Sequence, residues 1–242
     1  FRWSDEEEST DEPSRIKQLV DWDLVLAADY VHSSLCDLED EYWRSVLPAL
    51  LDDLQQLLRD ALDLLRELGE ADDHSDRSHW DLPSISPHWQ NRGFRDWVTL
   101  IELLRDAWLA MRNSDPERAR RVALGWFDVP YPTFKRLALF AAGQDDGMDP
   151  AQWVEWLGLD HAWWMWSVET QRETMRLLVQ QGTKLLPSAR TKLETTILAG
   201  PPRHMDRDDI EPERWQSLVD HSVWLHLAKL LEGGSQLGEV AS

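Results

Sequence analysis

The sequence is poor in cysteine, in glycine and in long apolar runs, and each shortage argues against a class of protein. Cys36 is the only cysteine among 242 residues, so neither an intrachain disulfide nor a zinc site built on cysteines can form. The 11 glycines form no phosphate-cradling loop, which argues against a nucleotide site within this stretch. We find no signal-peptide pattern and no membrane-spanning run, so a cytoplasmic location is expected.

Basic residues are also scarce, and the shortage is concentrated at the front of the chain. There are 25 lysines and arginines against 45 acidic residues, for a formal charge of −20. Residues 1–90 hold 23 acidic and 7 basic residues, whereas residues 91–242 hold 22 and 18. Nucleic-acid backbones require basic surfaces, so we expect no nucleic-acid partner, although an acidic face permits DNA mimicry.

Runs of β-branched residues are nearly absent, and leucine and tryptophan dominate the apolar set, which favours helices over sheets. The densest segment is Asp160–Leu178, with Trp163, Trp164 and Trp166 close together. A buried aromatic ring removes roughly 150–250 Å² from water, or about 4–6 kcal/mol gross. We therefore expect this segment to lie in the core or in an interface.

Composition and periodicity divide the chain into four parts. Residues 1–12 form an acidic, disordered lead-in, and residues 13–69 form an acidic helical hairpin. Its second helix covers about 41–68, with Pro48 at a kink or helix start and Gly69 as the stop. Residues 70–90 are polar and are predicted to be a loop or linker. Residues 91–242 are predicted to be a helical-repeat domain.

Within residues 91–242, apolar residues recur at helical spacing, and helix pairs are predicted at intervals of roughly 30–45 residues. A capping box begins at Ser114, Asp149 caps a short helix, and the tryptophan segment continues as one helix to Gly182. The predicted fold is all-α, either stacked helix hairpins like an α-solenoid or an irregular helical bundle. The predicted structural core contains Trp97, Trp108, Trp126, Trp153, Trp156, Trp164, Trp166 and Trp224.

Within these helices, two faces are predicted to be buried. The helix of the tryptophan segment carries one of them, and the last helix, from about 212 to 231, carries the other. The first face consists of Trp164, Val168, Met175 and Leu178. The second face consists of Trp215, Leu218, Leu225 and Leu227.

Histidines are the first candidates for chemistry. His74, His79 and His88 lie among aspartates and could bind a divalent metal loosely, but a solvated loop is the favoured interpretation. Asp160-His161 and Asp220-His221 reverse the His-Asp order of helical phosphohydrolases, so surface or capping roles are favoured. The sequence therefore predicts no catalytic residue, no cofactor and no metal ligand.

A second candidate is a set of basic residues in the last third of the chain. They could form a surface for an acidic partner, or they could complement helix dipoles near helix C-termini, which we favour. The residues are Lys184, Arg190, Lys192, Arg203 and Arg207. The tryptophans could also form a cage for a cation or ligand, although core packing is favoured at helical spacing.

Four segments together show a resemblance: Tyr131–Phe140, Trp164–Glu173, Ile197–Arg203 and Asp220–Leu230. In this order they resemble helical regions of very large bacterial anti-phage defence proteins. Those proteins join a sirtuin-like or STAND-type NTPase unit to a long helical tail. The resemblance covers about residues 91–242 and implies a sensing, scaffolding or oligomerising part.

The leading hypothesis is a non-catalytic interaction, scaffold or sensor module of a larger bacterial defence protein, with both chain ends expected to be cuts. Its expected partner is a protein, either a phage component or another segment of the parent chain, with no membrane involved. It could also oligomerise. Two alternatives stay open: a helical hydrolase using His and Asp metal ligands, and an acidic DNA-mimic inhibitor.

Overall fold

A computed structural model describes residues 45–91, 96–144, 148–206, 209–239 and 241. These residues form helices and no strand, so the all-α prediction is confirmed. The α-helices in chain order are α1 Leu51–Glu67, α2 Ser78–Asp81, α3 Thr99–Ser114, α4 Pro116–Trp126, α5 Pro132–Gln144, α6 Pro150–Trp166, α7 Gln171–Gln181, α8 Pro187–Ala199 and α9 Pro212–Glu232. Shorter 3-10 turns occupy Leu47–Leu50, Asp96–Val98, Gly182–Lys184 and Arg203–Met205. Among the described helices, none combines the length and apolar character needed to cross a lipid bilayer.

The leucine stripe of α1 forms one wall of the core. Its buried face consists of Leu51, Leu54, Leu58, Leu62 and Leu65, and it packs against α3. The helix that was predicted to pair with this stripe lies outside the described residues. Gly69 has a φ of 77° and ends the segment as expected, because glycine adopts this left-handed conformation without a steric penalty.

The turn between α3 and α4 differs from the predicted capping box by one residue. Asp115, and not Ser114, is the N-cap, and its side chain accepts a hydrogen bond from the Arg118 backbone N–H. Pro116 then takes the first helical position, where its missing N–H is harmless. Asp149 caps α6 as predicted, by accepting from the Ala151 backbone N–H.

Helix α5 lies at the centre of the fold. Eleven of its 13 residues are buried, and α2, α4, α6 and α7 all pack against it. A helix that is buried on every side must also bury its charged residues, and Lys135 and Arg136 are the two on α5. Their polar partners organise the region described in the next subsection.

The tryptophan segment folds differently from its prediction. A single helix was predicted from about residue 160 to Gly182, but α6 ends at Trp166 and Ser167 is extended, so α7 begins at Gln171. Val168, which was predicted on the buried face, is 60% exposed in this break. Thr170 explains the break, because its hydroxyl donates to the carbonyls of Trp164 and Ser167 and competes with helical hydrogen bonds.

Most of the predicted tryptophan core is buried. Six rings are at most 5% exposed, namely Trp97, Trp108, Trp126, Trp153, Trp156 and Trp164. Trp166 is partly buried at the edge of the core. The prediction is wrong for Trp224, which is 62% exposed. Helix α9 buries only the edge that carries His226 and Leu230, and Trp224 lies outside that edge.

The predicted buried face of α9 is likewise different. Leu218 is 42% exposed, while Trp215, Leu225 and Leu227 are only partly buried. Since α9 packs on α7 and α8, its remaining surface stays accessible among the described residues. Part of that surface, around Trp215 and Leu218, lines the cleft described below.

A tryptophan-lined cleft as the candidate functional site

The segment predicted as a linker, residues 70–90, is attached to the core by buried polar side chains. The Asp76 carboxylate, 2% exposed, accepts hydrogen bonds from the backbone N–H groups of Thr133 at 2.6 Å and Ser78 at 3.0 Å. Arg136 donates to the Ser78 hydroxyl at 3.0 Å and to the Leu82 carbonyl at 2.6 Å. These bonds fix the segment against the first turns of α5.

The same arginine connects the segment to α7. Arg136 Nε lies 3.2 Å from Glu173 Oε2, and Glu173 Oε1 accepts from the Ile85 backbone N–H at 2.8 Å. Both side chains of the pair are almost fully buried. Buried charges persist only when they are paired and hydrogen-bonded, and this pair satisfies that condition.

A third buried carboxylate, Glu169, holds the part of the segment nearest the cleft. It accepts from the Ser75 hydroxyl at 2.8 Å and lies 2.7 Å from His79 Nδ1. Burial, together with the negative charge of Glu169, raises the pKa of Asp76 above its ordinary value. The contacts of Glu169 with Ser75 and His79, and of Asp76 with Thr133, hold residues 72–75 in place at the cleft.

The other wall of the cleft begins at a left-handed turn inside α6. Asp160, His161 and Ala162 have φ values of 50°, 54° and 66°, and none of them is a glycine. For an ordinary residue this conformation is unfavourable by about 1–2 kcal/mol. Asp160 Oδ2 lies 2.7 Å from His74 Nε2, so the turn is held by a contact across the cleft wall.

Two tryptophans follow the turn, and histidines hold both rings. The Trp163 ring lies with its centroid 4.4 Å from that of His74 and 5.9 Å from that of His204. The Trp166 ring lies 4.3 Å from that of His226. His226 Nδ1 lies 2.8 Å from the Ser222 carbonyl, and Nε2 lies 3.2 Å from the Met165 carbonyl. Both indoles are therefore positioned before any ligand arrives.

Between these walls lies an open cleft of about 480 Å³. Three indoles line it: Trp163 and Trp166 on α6, and Trp215 on α9. The acidic residues Asp72 and Asp206 also line it, and Glu169 borders it with its carboxylate engaged by Ser75 and His79. Its volume falls within the range of small-molecule pockets, about 300–1,000 Å³. We call this feature the tryptophan cleft.

Two polar atoms at the tryptophan cleft lack a partner. The indole N–H groups of Trp163 and Trp166, like those of Trp97 and Trp153 in the core, are sealed from solvent and donate no hydrogen bond to any described residue. A buried donor without an acceptor is unfavourable by about 1–3 kcal/mol.

The predicted basic surface does not gather at one place. Arg190 and Lys192 lie on α8, and Lys192 pairs with Glu155 of α6. Lys184 precedes α8 and Arg203 follows it, separated by a helix of 13 residues, about 20 Å long. Arg203 lies over the Trp215 ring at 5.2 Å, and Arg207 lies outside the described residues.

The histidines that were considered as possible metal ligands have other contacts. His74 and His79 lie against Asp160 and Glu169, and His88 Nδ1 lies 3.3 Å from Arg172. His161 and His221 lie apart, with His161 near His204 and His221 near Trp224. Within the described part of the chain, no group of three or more His, Cys, Asp or Glu residues could hold a metal ion.

Sequence reasoning missed the tryptophan cleft because its residues come from four distant segments. Residues 72–75, 163–169, 201–206 and 215–222 contribute, and no local pattern joins them. The one available signal was the excess of tryptophans over what a helical stripe needs, with Trp163 off the predicted face of its helix.

Comparisons with known proteins add no relative. A scan against family models, a search of curated proteins and a search of solved structures each find no match to this chain.

Proposed function

We propose that this chain is a non-catalytic helical interaction module that docks a segment of a protein partner in the tryptophan cleft. The observation that carries the proposal is the preformed cleft itself, with Trp163, Trp166 and Trp215 around about 480 Å³. Partly exposed indoles that are already fixed bury further apolar area on binding while little side-chain entropy is lost. Tryptophan is correspondingly enriched among the residues that dominate binding energy.

The arrangement of titratable groups supports binding over catalysis. His79 and Glu169 contact each other beneath the cleft, and His74 contacts Asp160 at its wall. These contacts fix the positions of loops. A general base needs a nucleophile or substrate proton within hydrogen-bond reach, and these groups are engaged with one another.

The wider context follows the resemblance to defence proteins. We propose that the module belongs to a larger cytoplasmic bacterial protein of anti-phage defence and recognises a phage component or another segment of that protein. Packing between helices two positions apart supports a stacked-hairpin arrangement, as for α5 with α7, α6 with α8 and α7 with α9. Such stacks present long surfaces to partner proteins.

The test is selection of displayed random peptides on the purified chain, followed by rebinding to two variants. Trp215→Ala removes a cleft indole, and Trp224→Ala removes an exposed indole from the same helix outside the cleft. We expect the selected peptides to lose at least about tenfold in affinity on Trp215→Ala, as for a binding hot spot. Their affinity for Trp224→Ala should be unchanged.

Two outcomes would contradict the proposal. One is the absence of any selected peptide, and the other is equal binding to both variants. Thermal denaturation of both variants serves as the control, because Trp215 and Trp224 both lie at the surface of α9 and neither substitution should unfold it.

In the defence context, the same pair of variants is placed in the full-length gene and phage plating is measured. Loss of protection with Trp215→Ala alone is the expected result. Equal protection by both variants would remove the tryptophan cleft from the defence function.

A further inference from the structure

We infer that residues 13–35 of this chain dock as an antiparallel helix on an apolar surface of α1 that α3 leaves uncovered. The residues of this surface are Leu57, Ala61, Leu64 and Leu68, and we call it the outer stripe of α1. None of them lines the tryptophan cleft, so the inference concerns a second surface and does not depend on the function proposed above.

Helix α1 carries two apolar stripes, and only one of them faces α3. Leu58 and Leu62, from the stripe that packs on α3, are fully buried. In the outer stripe, about a quarter of a turn away, Leu57 is 52% exposed and Leu64 is 41% exposed. The first stripe is therefore occupied, and any further helix that pairs with α1 must use the outer stripe.

The spacing of the outer stripe indicates a helical neighbour. Ala61 follows Leu57 by four residues and precedes Leu64 by three, which is the spacing of the seam of a coiled coil. A helix that only covers a core needs a single apolar stripe and exposes polar residues elsewhere. The second stripe of α1 therefore indicates a second packing partner.

The sequence before α1 supplies a matching stripe. Its residues are Ile16, Val20, Leu24, Ala27 and Val31, at spacings of three and four. An antiparallel alignment that places Leu24 beside Ala61 also places Ala27 beside Leu57. Each small residue then faces a large one, as interlocking packing requires.

Connectivity and charge favour this segment over a second copy of the chain. The segment leads directly into α1, and such a tether holds it at an effective concentration in the millimolar range. Asp53, Asp60 and Glu67 are exposed along one side of the outer stripe, so an antiparallel pair of two α1 helices would bring identical rows of carboxylates together. In the alignment with the segment, Arg15 and Lys17 instead come to the level of Glu67.

The first experiment measures whether the outer stripe is covered in the full chain. In a Cys36→Ser background no native thiol is left, so one engineered cysteine reports on its own exposure. Leu57→Cys tests the outer stripe, and Leu231→Cys is the matched control, at a position on α9 that is 54% exposed. Relative to its rate in urea, the thiol of Leu57→Cys should react with a maleimide at least about tenfold more slowly than that of Leu231→Cys.

Substitutions in the segment identify what covers the stripe. Leu24→Asp places a charge in the contact and should raise the reactivity of the Leu57→Cys thiol to that of the control. Gln18→Asp adds the same charge on the opposite side of the segment's helix and should leave the protection intact. Neither substitution should change the reactivity of the Leu231→Cys thiol.

A second measurement tests proximity without a destabilising substitution. Ala27→Cys combined with Leu57→Cys should form an intrachain disulfide on mild oxidation, because the alignment places the two positions side by side. Val25→Cys combined with Leu57→Cys should not, since Val25 lies on the other side of the segment's helix. Mass spectrometry of the digested chain detects the linked peptides.

Three outcomes would overturn the inference. One is equal normalised reactivity of the Leu57→Cys and Leu231→Cys thiols, which means that the stripe is open. Another is protection that disappears on dilution, which assigns the stripe to a second copy. The third is protection that survives Leu24→Asp without a disulfide from Ala27→Cys, which assigns it to a different segment.

Discussion

Two regions of this molecule handle polar groups in opposite ways. Around Arg136, every charged side chain of the buried network has an opposite charge or a backbone partner. Around Trp163 and Trp166, buried N–H groups lack acceptors, and the preceding backbone adopts a rare left-handed turn. In the first region the charged groups find their partners within the chain, and only Nε2 of His79 lacks one among the described residues. The second region borders the open cleft in which we propose that a peptide docks.

The largest change in stability is expected when the buried Arg136 is replaced. Arg136→Met should lower the free energy of unfolding by about 3–5 kcal/mol, because Glu173 and the Leu82 carbonyl would lose their partner while buried. Chemical denaturation measures the change. Arg118→Met is the control, since Arg118 forms an exposed pair with Asp52 and should change stability by less than about 1 kcal/mol. Equal effects of both substitutions would contradict the account.

An intermediate change in stability is expected when the pH is lowered, because the unfolded chain then binds a proton at His226 more readily than the folded chain does. Burial lowers the pKa of His226 below its ordinary value of 6.5, so the folded state holds the neutral ring. Between that lowered pKa and about 6.5 the unfolded chain binds more protons, so stability rises with pH. The contribution of His226 is therefore present above pH 6.5 and is lost as the pH falls through this window, by at most about 1.4 kcal/mol per pH unit.

The measurement for His226 is the free energy of unfolding as a function of pH. His226→Gln should flatten the dependence below pH 6.5, whereas substitution of the exposed His221 should leave it unchanged. Since His226 contacts the Trp166 ring, peptide binding at the cleft should weaken over the same pH range. A pH dependence that is identical in the two variants would argue against the role of His226.

The smallest effect comes from the left-handed turn. Ala162 has a φ of 66°, so Ala162→Gly should stabilise the fold by about 0.5–1 kcal/mol by removing the steric penalty of the Cβ atom. Ala228→Gly, in the middle of α9, should instead destabilise by about the same amount. Thermal denaturation of the two variants should therefore shift in opposite directions. Shifts of the same sign would show that the turn carries no such strain.

Local features were predictable from the sequence. The Gly69 stop and the Asp149 cap each depend on a few neighbouring residues, and each agrees with the structure. The break at Ser167 was missed because Trp164, Val168, Met175 and Leu178 continue a helical stripe across it. Only the hydroxyl bond from Thr170 to the Trp164 carbonyl reveals why the helix ends there.

Features that depend on distant partners could not be predicted. The backbone N–H of Thr133 meets Asp76 across 57 residues, and nothing near Asp76 in the sequence indicates that its carboxylate is buried. In the same way, the pattern of α9 does not distinguish Trp215, which lines the cleft, from the exposed Trp224. Which face of a helix is covered depends on the neighbours that the fold supplies.

The burial of α5 has a practical consequence for following the opening of this protein. Lys135 is 9% exposed, its amine donates to the Phe127 carbonyl, and burial lowers its pKa. An acylating reagent should therefore modify the exposed amine of Lys184 quickly and that of Lys135 only when the central helix separates from its neighbours. The rate at which the peptide that carries Lys135 gains the mass of the acyl group would therefore measure how often α5 separates from its neighbours.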